Sequence, residues 1–224
     1  MSFRKFDWNR AGSAFYTIFT DFVQYAATDW VITTTEAGAG SATEALDAAG
    51  VGGKLVVTND AADNDKDLFQ YSADGGTTPL EAFLFTVGKK LQFVFKGQIS
   101  DAADSDFYAG LIITDTDFVG GITDGIFLRK ADGDNTLQLV VVKDSTESTA
   151  DLGELADATE FTAEIYYDGA SSRIEAFLDG ARAGSVPLTN APDDEELALS
   201  FGIQNGEAAA KVLTVDYIGA SQER

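Results

Sequence analysis

Apolar and polar residues alternate with a period of two along most of this chain. In the segment Lys89–Lys96, Leu91, Phe93 and Phe95 fall on one face of an extended strand, while Lys90, Gln92 and Lys96 fall on the other. The same alternation sets Leu137, Leu139 and Val141 on one face, and likewise Phe161, Ala163, Ile165 and Tyr167. It recurs at Ile174, Ala176 and Leu178, at Leu197, Leu199, Phe201 and Ile203, and at Leu213, Val215 and Tyr217. Further strands are predicted over Gly53–Thr58, Leu68–Ser72, Ala82–Val87, Phe107–Thr114 and Gly125–Lys130. Turn-forming pairs punctuate these runs: Asp74-Gly75, Asp132-Gly133, Asp168-Gly169, Asp179-Gly180 and Asn205-Gly206. Closely spaced strands with little helical periodicity and only 3 Pro predict an all-β, antiparallel sandwich of the jelly-roll kind.

The 224 residues fit one such domain, since sandwiches of this size commonly stay single and no linker interrupts residues 21–224. The softest internal stretch, Thr34–Gly52, is rich in Ala, Gly, Ser and Thr, and reads as a long loop or a brief helix over Thr43–Ala49. No run approaches the roughly 20 apolar residues of a membrane span, and the N-terminus lacks the apolar stretch of a signal peptide, so a soluble product is expected.

Charge sharpens the picture. There are 37 Asp and Glu against 15 Lys and Arg, a formal charge of −22. A surface of that sign repels phosphate backbones and anionic membranes, so neither nucleic acid nor membrane is an expected partner. Residues 1–20 depart from this, with Arg4, Lys5 and Arg10 against Asp7 and a dense set of aromatics: Phe3, Phe6, Trp8, Phe15, Tyr16 and Phe19. Two readings apply. The segment is either the first strand of the sandwich or an N-terminal docking arm. In the arm reading Phe3, Arg4, Lys5, Phe6, Trp8 and Arg10 bind a partner, since aromatics and Arg are the residue types that anchor interfaces.

Candidate chemistry is sparse. The chain has no Cys and no His, which removes thiolate nucleophiles, disulfides, His-based triads and the commonest metal ligands. Asp63, Asp65 and Asp67 begin like an EF-hand loop, but Leu68 stands where the sharp turn needs Gly, and the strand predicted from Leu68 prevents closure. Calcium at Asp101, Asp104 and Asp106, or at Asp132 and Asp134, is the alternative to plain solvation. Solvated acids, with no metal and no cofactor, are the expectation. Sandwich glycosidases need two carboxylates across a scissile bond. Glu175–Asp179 ends in a turn and Asp193–Glu196 follows Pro192, so no enzyme is expected.

Tyr166-Tyr-Asp-Gly169, Arg173-Ile-Glu-Ala-Phe-Leu-Asp-Gly180 and Gly184-Ser-Val-Pro-Leu188 resemble a hairpin of the concanavalin A-like and laminin-G-like jelly rolls. Thr20-Asp-Phe22, Trp30 and Gly52-Gly-Lys-Leu-Val-Val57 resemble that family's opening. A narrower resemblance to jelly-roll proteins of tailed phages rests on Asp29–Gly38, Gly110–Asp115, Thr123–Phe127 and Thr214–Ile218. It implies a capsid decoration or cement protein made in the host cytoplasm and carried on the virion exterior. Its partners would be the major capsid protein and copies of itself. The legume-lectin metal and sugar residues do not map, no His being present. The alternative function is a carbohydrate-binding module stacking sugars on Tyr71, Tyr108, Tyr166 or Tyr167, with a glycoside hydrolase third.

Overall fold

A computed structural model describes residues 14–47, 49 and 52–224. The described residues hold sixteen strands in chain order. These are β1 (Phe15–Thr20), β2 (Trp30–Thr35), β3 (Thr43–Leu46), β4 (Leu55–Thr58), β5 (Lys66–Tyr71), β6 (Glu81–Leu84), β7 (Leu91–Ile99) and β8 (Ser105–Ile112). They continue with β9 (Gly125–Lys130), β10 (Thr136–Lys143), β11 (Thr146–Glu154), β12 (Phe161–Tyr167), β13 (Arg173–Leu178), β14 (Ala181–Pro187), β15 (Glu196–Asn205) and β16 (Val212–Glu223). Among the described residues no helix is long and apolar enough to cross a membrane.

The strands form two eight-stranded antiparallel sheets. Sheet A runs β14-β13-β12-β7-β16-β4-β3, with β1 also on β16, and sheet B runs β11-β10-β9-β8-β15-β5-β2, with β6 also on β15. The fold is an antiparallel β-sandwich of the jelly-roll type. The period-two residues do the joining: Phe93 and Phe95 of β7, Ile165 of β12, Phe107 of β8 and Phe201 of β15 all point into one inter-sheet core. Phe69 and Phe201 stack at 4.6 Å with their planes 4° apart, and Trp30 meets both rings edge-on. Burying each such ring contributes roughly 2–3 kcal/mol.

β1 registers along its whole length with β16, from Phe15↔Glu223 to Thr20↔Ile218. Residues 15–20 are thus sheet, and of residues 1–20 those before residue 14 lie outside the described chain. The brief helix read over Thr43–Ala49 is overturned. Thr43–Leu46 is a strand paired with β4, because backbone pairing across a sheet outweighs the weak helical preference of so short a run. Tyr217 is also displaced from the face its spacing predicts. A β-bulge between Val215 and Tyr217 adds one residue to β16, so Val215 faces the core and Tyr217 faces outward. The Asp179-Gly180 turn has positive φ at both residues (49° and 77°), the mirror-image turn whose twist suits the β13–β14 hairpin.

Candidate functional site

The residues read as a docking arm, Phe3, Arg4, Lys5, Phe6, Trp8 and Arg10, lie outside the described residues. The chain they lead into is firmly seated. The Arg224 N–H donates to the Ala14 carbonyl at 2.9 Å, and the Tyr16 hydroxyl donates to Gln222 Oε1 at 2.7 Å. Phe19, 38% exposed, lies across Gly219 of β16, where an added Cβ would stand 2.7 Å from its ring.

That position makes Phe19 the end of a row on the outward face of sheet A. Cross-strand register aligns Phe177, Glu164, Val94, Gly219 and Phe19 across five strands. Tyr217 sits beside the row, 5.9 Å from Phe19 between ring centres, with Lys96 Nζ 6.0 Å from its ring. Lys96 is clamped by Asp216 at 2.7 Å and Glu160 at 2.8 Å, and Glu160 also holds Lys54 at 3.0 Å. Tyr166 pairs with Gln92 and Glu175 on the same face. Burial raises the Glu164 carboxyl above its ordinary value, against a lowering hydrogen bond from Gln92.

The outward face of sheet B is closed instead. Residues 113–124 fold over it, and Phe118 and Ile122 join Leu68, Tyr108, Phe127 and Val140 in a second small core. Lys66 holds this segment down through Asp117 at 2.5 Å, while Gln70 donates to the Ile113 carbonyl and accepts from the Asp115 N–H. Three of the four tyrosines considered for sugar stacking are therefore spoken for. Tyr108 is buried 4.7 Å from Phe118, Tyr167 is buried against Phe85, and Tyr71 packs edge-on to Trp30. Only Tyr166 of the four looks outward. Their spacing could not reveal this, because alternation within a strand does not show that residues 113–124, which follow it, fold back over Tyr108.

Two acidic corners flank the Asn205-Gly206 turn. In the first, single carboxylate oxygens of Asp101, Asp104 and Glu207 lie within 4.8 Å of one another. Lys211, buried, neutralises it through Asp101 Oδ2 at 2.6 Å and Glu207 Oε1 at 2.7 Å. Hydrogen bonding to Lys211 holds Asp101 below the usual carboxylate range. Nearby, Asp106 is raised by burial and accepts the Asp132 N–H at 2.9 Å, and Lys130 is buried with its Nζ on the Ser105 carbonyl. Asp134 bonds Thr136 and closes its own turn. Of the sequence-predicted calcium candidates, Asp101 is thus drawn into an ion pair, and Asp106 and Asp134 accept backbone hydrogen bonds. Glu175 pairs with Arg182 at 3.0 Å, and Lys143 pairs with Asp193 and Asp194.

The second corner was not visible in the sequence as a site. Asp67, although in the segment read as a failed EF-hand, points between the sheets and is fully buried. Its Oδ1 accepts from the Thr34 hydroxyl, and its Oδ2 has no partner. Burial, followed by the charges of Glu44, Glu36 and Asp65, pushes its pKa up to about 6. The Tyr25 hydroxyl is pushed up to about 12, first by burial and then by the charges of Glu44, Asp67 and Asp29.

No family model and no curated protein sequence matches this chain. Solved structures do. The chain is similar to an endo-β-1,4-glucuronan lyase from the fungus Trichoderma reesei (TM-score 0.56, 10% identity, 91% of this chain and 94% of that one). It is similar to peanut lectin in complex with a nine-residue peptide (TM-score 0.56, 9% identity, 93% and 97%) and to the carbohydrate recognition domain of Emp47p (TM-score 0.55, 12% identity, 88% and 98%). The fold is that of the concanavalin A-like lectins.

Proposed function

We propose that this protein is a non-catalytic recognition module and, in its particular form, a capsid decoration protein of a tailed phage that seats on the major capsid protein lattice at the virion exterior. One observation carries the reading. Residues 1–13, with their aromatic and cationic side chains, lead into β1, whose Phe19 ends the outward row of sheet A and lies beside Tyr217. A partner gripping that segment would lie beside an open face, whereas sheet B offers only a covered one. Among the described residues, Tyr16 and Ile18 of β1 pack against the inter-sheet core.

Removal of residues 1–12 tests this. The truncated protein is expected to keep its melting temperature and lose co-sedimentation with phage particles, and Trp8→Ala alone to weaken attachment by roughly 2 kcal/mol or more. Early melting of the truncated chain, or retained decoration, counts against the arm. A second reading, a carbohydrate-binding module, is favoured by outward-facing Tyr166 beside Gln92 and Glu175, an aromatic plane next to hydrogen-bonding groups. Binding to a glycan panel, lost in Tyr166→Ala without loss of stability, would select it over the first.

A further inference from the structure

The second acidic corner holds more unpartnered buried oxygen than a folded protein leaves without reason. Asp67 Oδ2, Glu36 Oε2, Asn59 Oδ1 and the Tyr25 hydroxyl are all buried atoms with no hydrogen-bond partner. Asp67 is 0% and Asn59 1% exposed. No salt bridge among the described residues reaches Glu36, Glu44, Asp65 or Asp67, and the adjacent Lys66 is turned to the opposite face of β5, onto Asp117.

The corner is assembled from both sheets. Asp67 faces inward from β5, and Glu44 sits on β3 at the register position opposite inward-facing Val57. Asn59 lies two residues beyond Val57. Its Nδ2 donates to the carbonyls of Asp65 (2.8 Å) and Ile203 (3.2 Å), and Ile203 is the register partner of Asp67. Those bonds fix the amide and leave its oxygen over. Glu36 is fixed likewise, one oxygen accepting the Ala42 N–H at 2.7 Å. Each first oxygen is thus spent on positioning the side chain, and each second one is left as a buried acceptor. Asn59 is the independent witness: it is neutral, so its orphan oxygen is no by-product of an acidic composition.

A set of buried oxygens in which only the Tyr25 hydroxyl can donate, two of them on carboxylates, is the ligand chemistry of a hard cation. We propose that this corner binds calcium, with Asp67 and Glu36 as anionic ligands and Asn59 Oδ1 and the Tyr25 hydroxyl as neutral ones. Calcium suits it better than magnesium, because calcium accepts six to eight oxygens in irregular geometry. By tying the ends of β2 and β4 to β5, the ion would link the two sheets at this end of the sandwich. This inference is independent of the proposed function.

Terbium, a luminescent stand-in for calcium, tests it on the full-length, chelator-treated protein, since Tyr25 would sensitise emission from an ion it touches. Saturable luminescence at one ion per chain is expected, displaced by calcium and lost in both Asp67→Asn and Glu36→Gln. It should persist in Asp101→Asn, which alters the other acidic corner. Calcium at a hundred times its Kd should raise the melting temperature by about 5–10 °C. Glu36→Gln, at a half-buried position, keeps the test valid should Asp67→Asn fold poorly. Neither luminescence nor a melting shift at millimolar calcium would overturn the proposal, as would luminescence that survives Glu36→Gln but not Asp101→Asn.

Discussion

The two acidic corners beside Asn205-Gly206 have similar composition and opposite solutions. Around Asp101, Asp104 and Glu207 the chain supplies its own cation, and buried Lys211 holds two carboxylates at 2.6 and 2.7 Å. Around Asp67, Glu36 and Glu44 it supplies none, yet buries the carboxylate more deeply. Burial of a charge is tolerable only with a partner. The first corner is therefore finished by the fold, and the second needs a proton or an ion from solution. Gly206 joins them, its N–H donating to the Asp104 carbonyl at 3.0 Å, while Asn205 Nδ2 holds the carbonyls of Asp60 and Ala62 in the loop leading to Asp65.

The strongest way to break this contrast is to remove the built-in cation. Lys211→Met should cost about 3 kcal/mol, the low end for stranding a buried partner because Glu207 is half exposed. The variant should then acquire a calcium response at Asp101, Asp104 and Glu207 that the native corner lacks. Thermal melts with calcium and with chelator read both effects. A melting temperature within one degree of the native protein would mean that Lys211 does not hold this corner together.

Acidity should move the two corners in opposite directions, with a somewhat smaller effect. Asp67 has a folded pKa of about 6, above the ordinary 3.8. In chelator its contribution is fully present below about pH 4 and is lost as pH rises through 6. Asp101 is held below 3.8 by Lys211, so its contribution is present above that value and is lost as pH falls towards the lowered one. Between pH 4.5 and 7 the chelated protein should accordingly lose about 2 kcal/mol from Asp67, with Glu44, Glu36 and Asp65 as the charges that repel it. Asp67→Asn should flatten that slope. A slope unchanged by the substitution would assign it elsewhere.

The architecture was legible wherever one face is buried and the other wet: β7, β12 and β13 carry the alternation their burial requires. β11 was not, because Thr146–Glu154 is mostly polar, and its hairpin turns at Asp144-Ser145 with positive φ and no glycine to signal it. Tyr217 could not be placed, since a bulge is one residue of register that alternation does not encode. The second corner was illegible for a further reason. Asp67 gains its meaning from Tyr25, Glu36 and Asn59, which reach it through tertiary structure and not through spacing along a loop. Conversely, the Asp101–Asp106 cluster could not be read in full along the chain, because Asp101 and Asp104 meet Glu207 and Lys211 from over a hundred residues away.

Salt should give the smallest and most general effect, and it separates surface repulsion from corner chemistry. A formal charge of −22, mostly on exposed carboxylates, makes the folded state repel itself. Monovalent salt shortens the reach of that repulsion to about 10 Å at 0.1 M and less beyond it. Melting in calcium should therefore rise by a few degrees between dilute buffer and seawater-like sodium chloride, about 1 kcal/mol or less. The Lys211 pairs respond least, because they are buried and close. In chelator the rise should be of the same size, since the Asp67 corner is buried and salt screens its repulsion little. A clearly larger rise in chelator would say that salt reaches that corner, and a melting temperature that falls with salt would say that attraction within ion pairs outweighs repulsion across the surface.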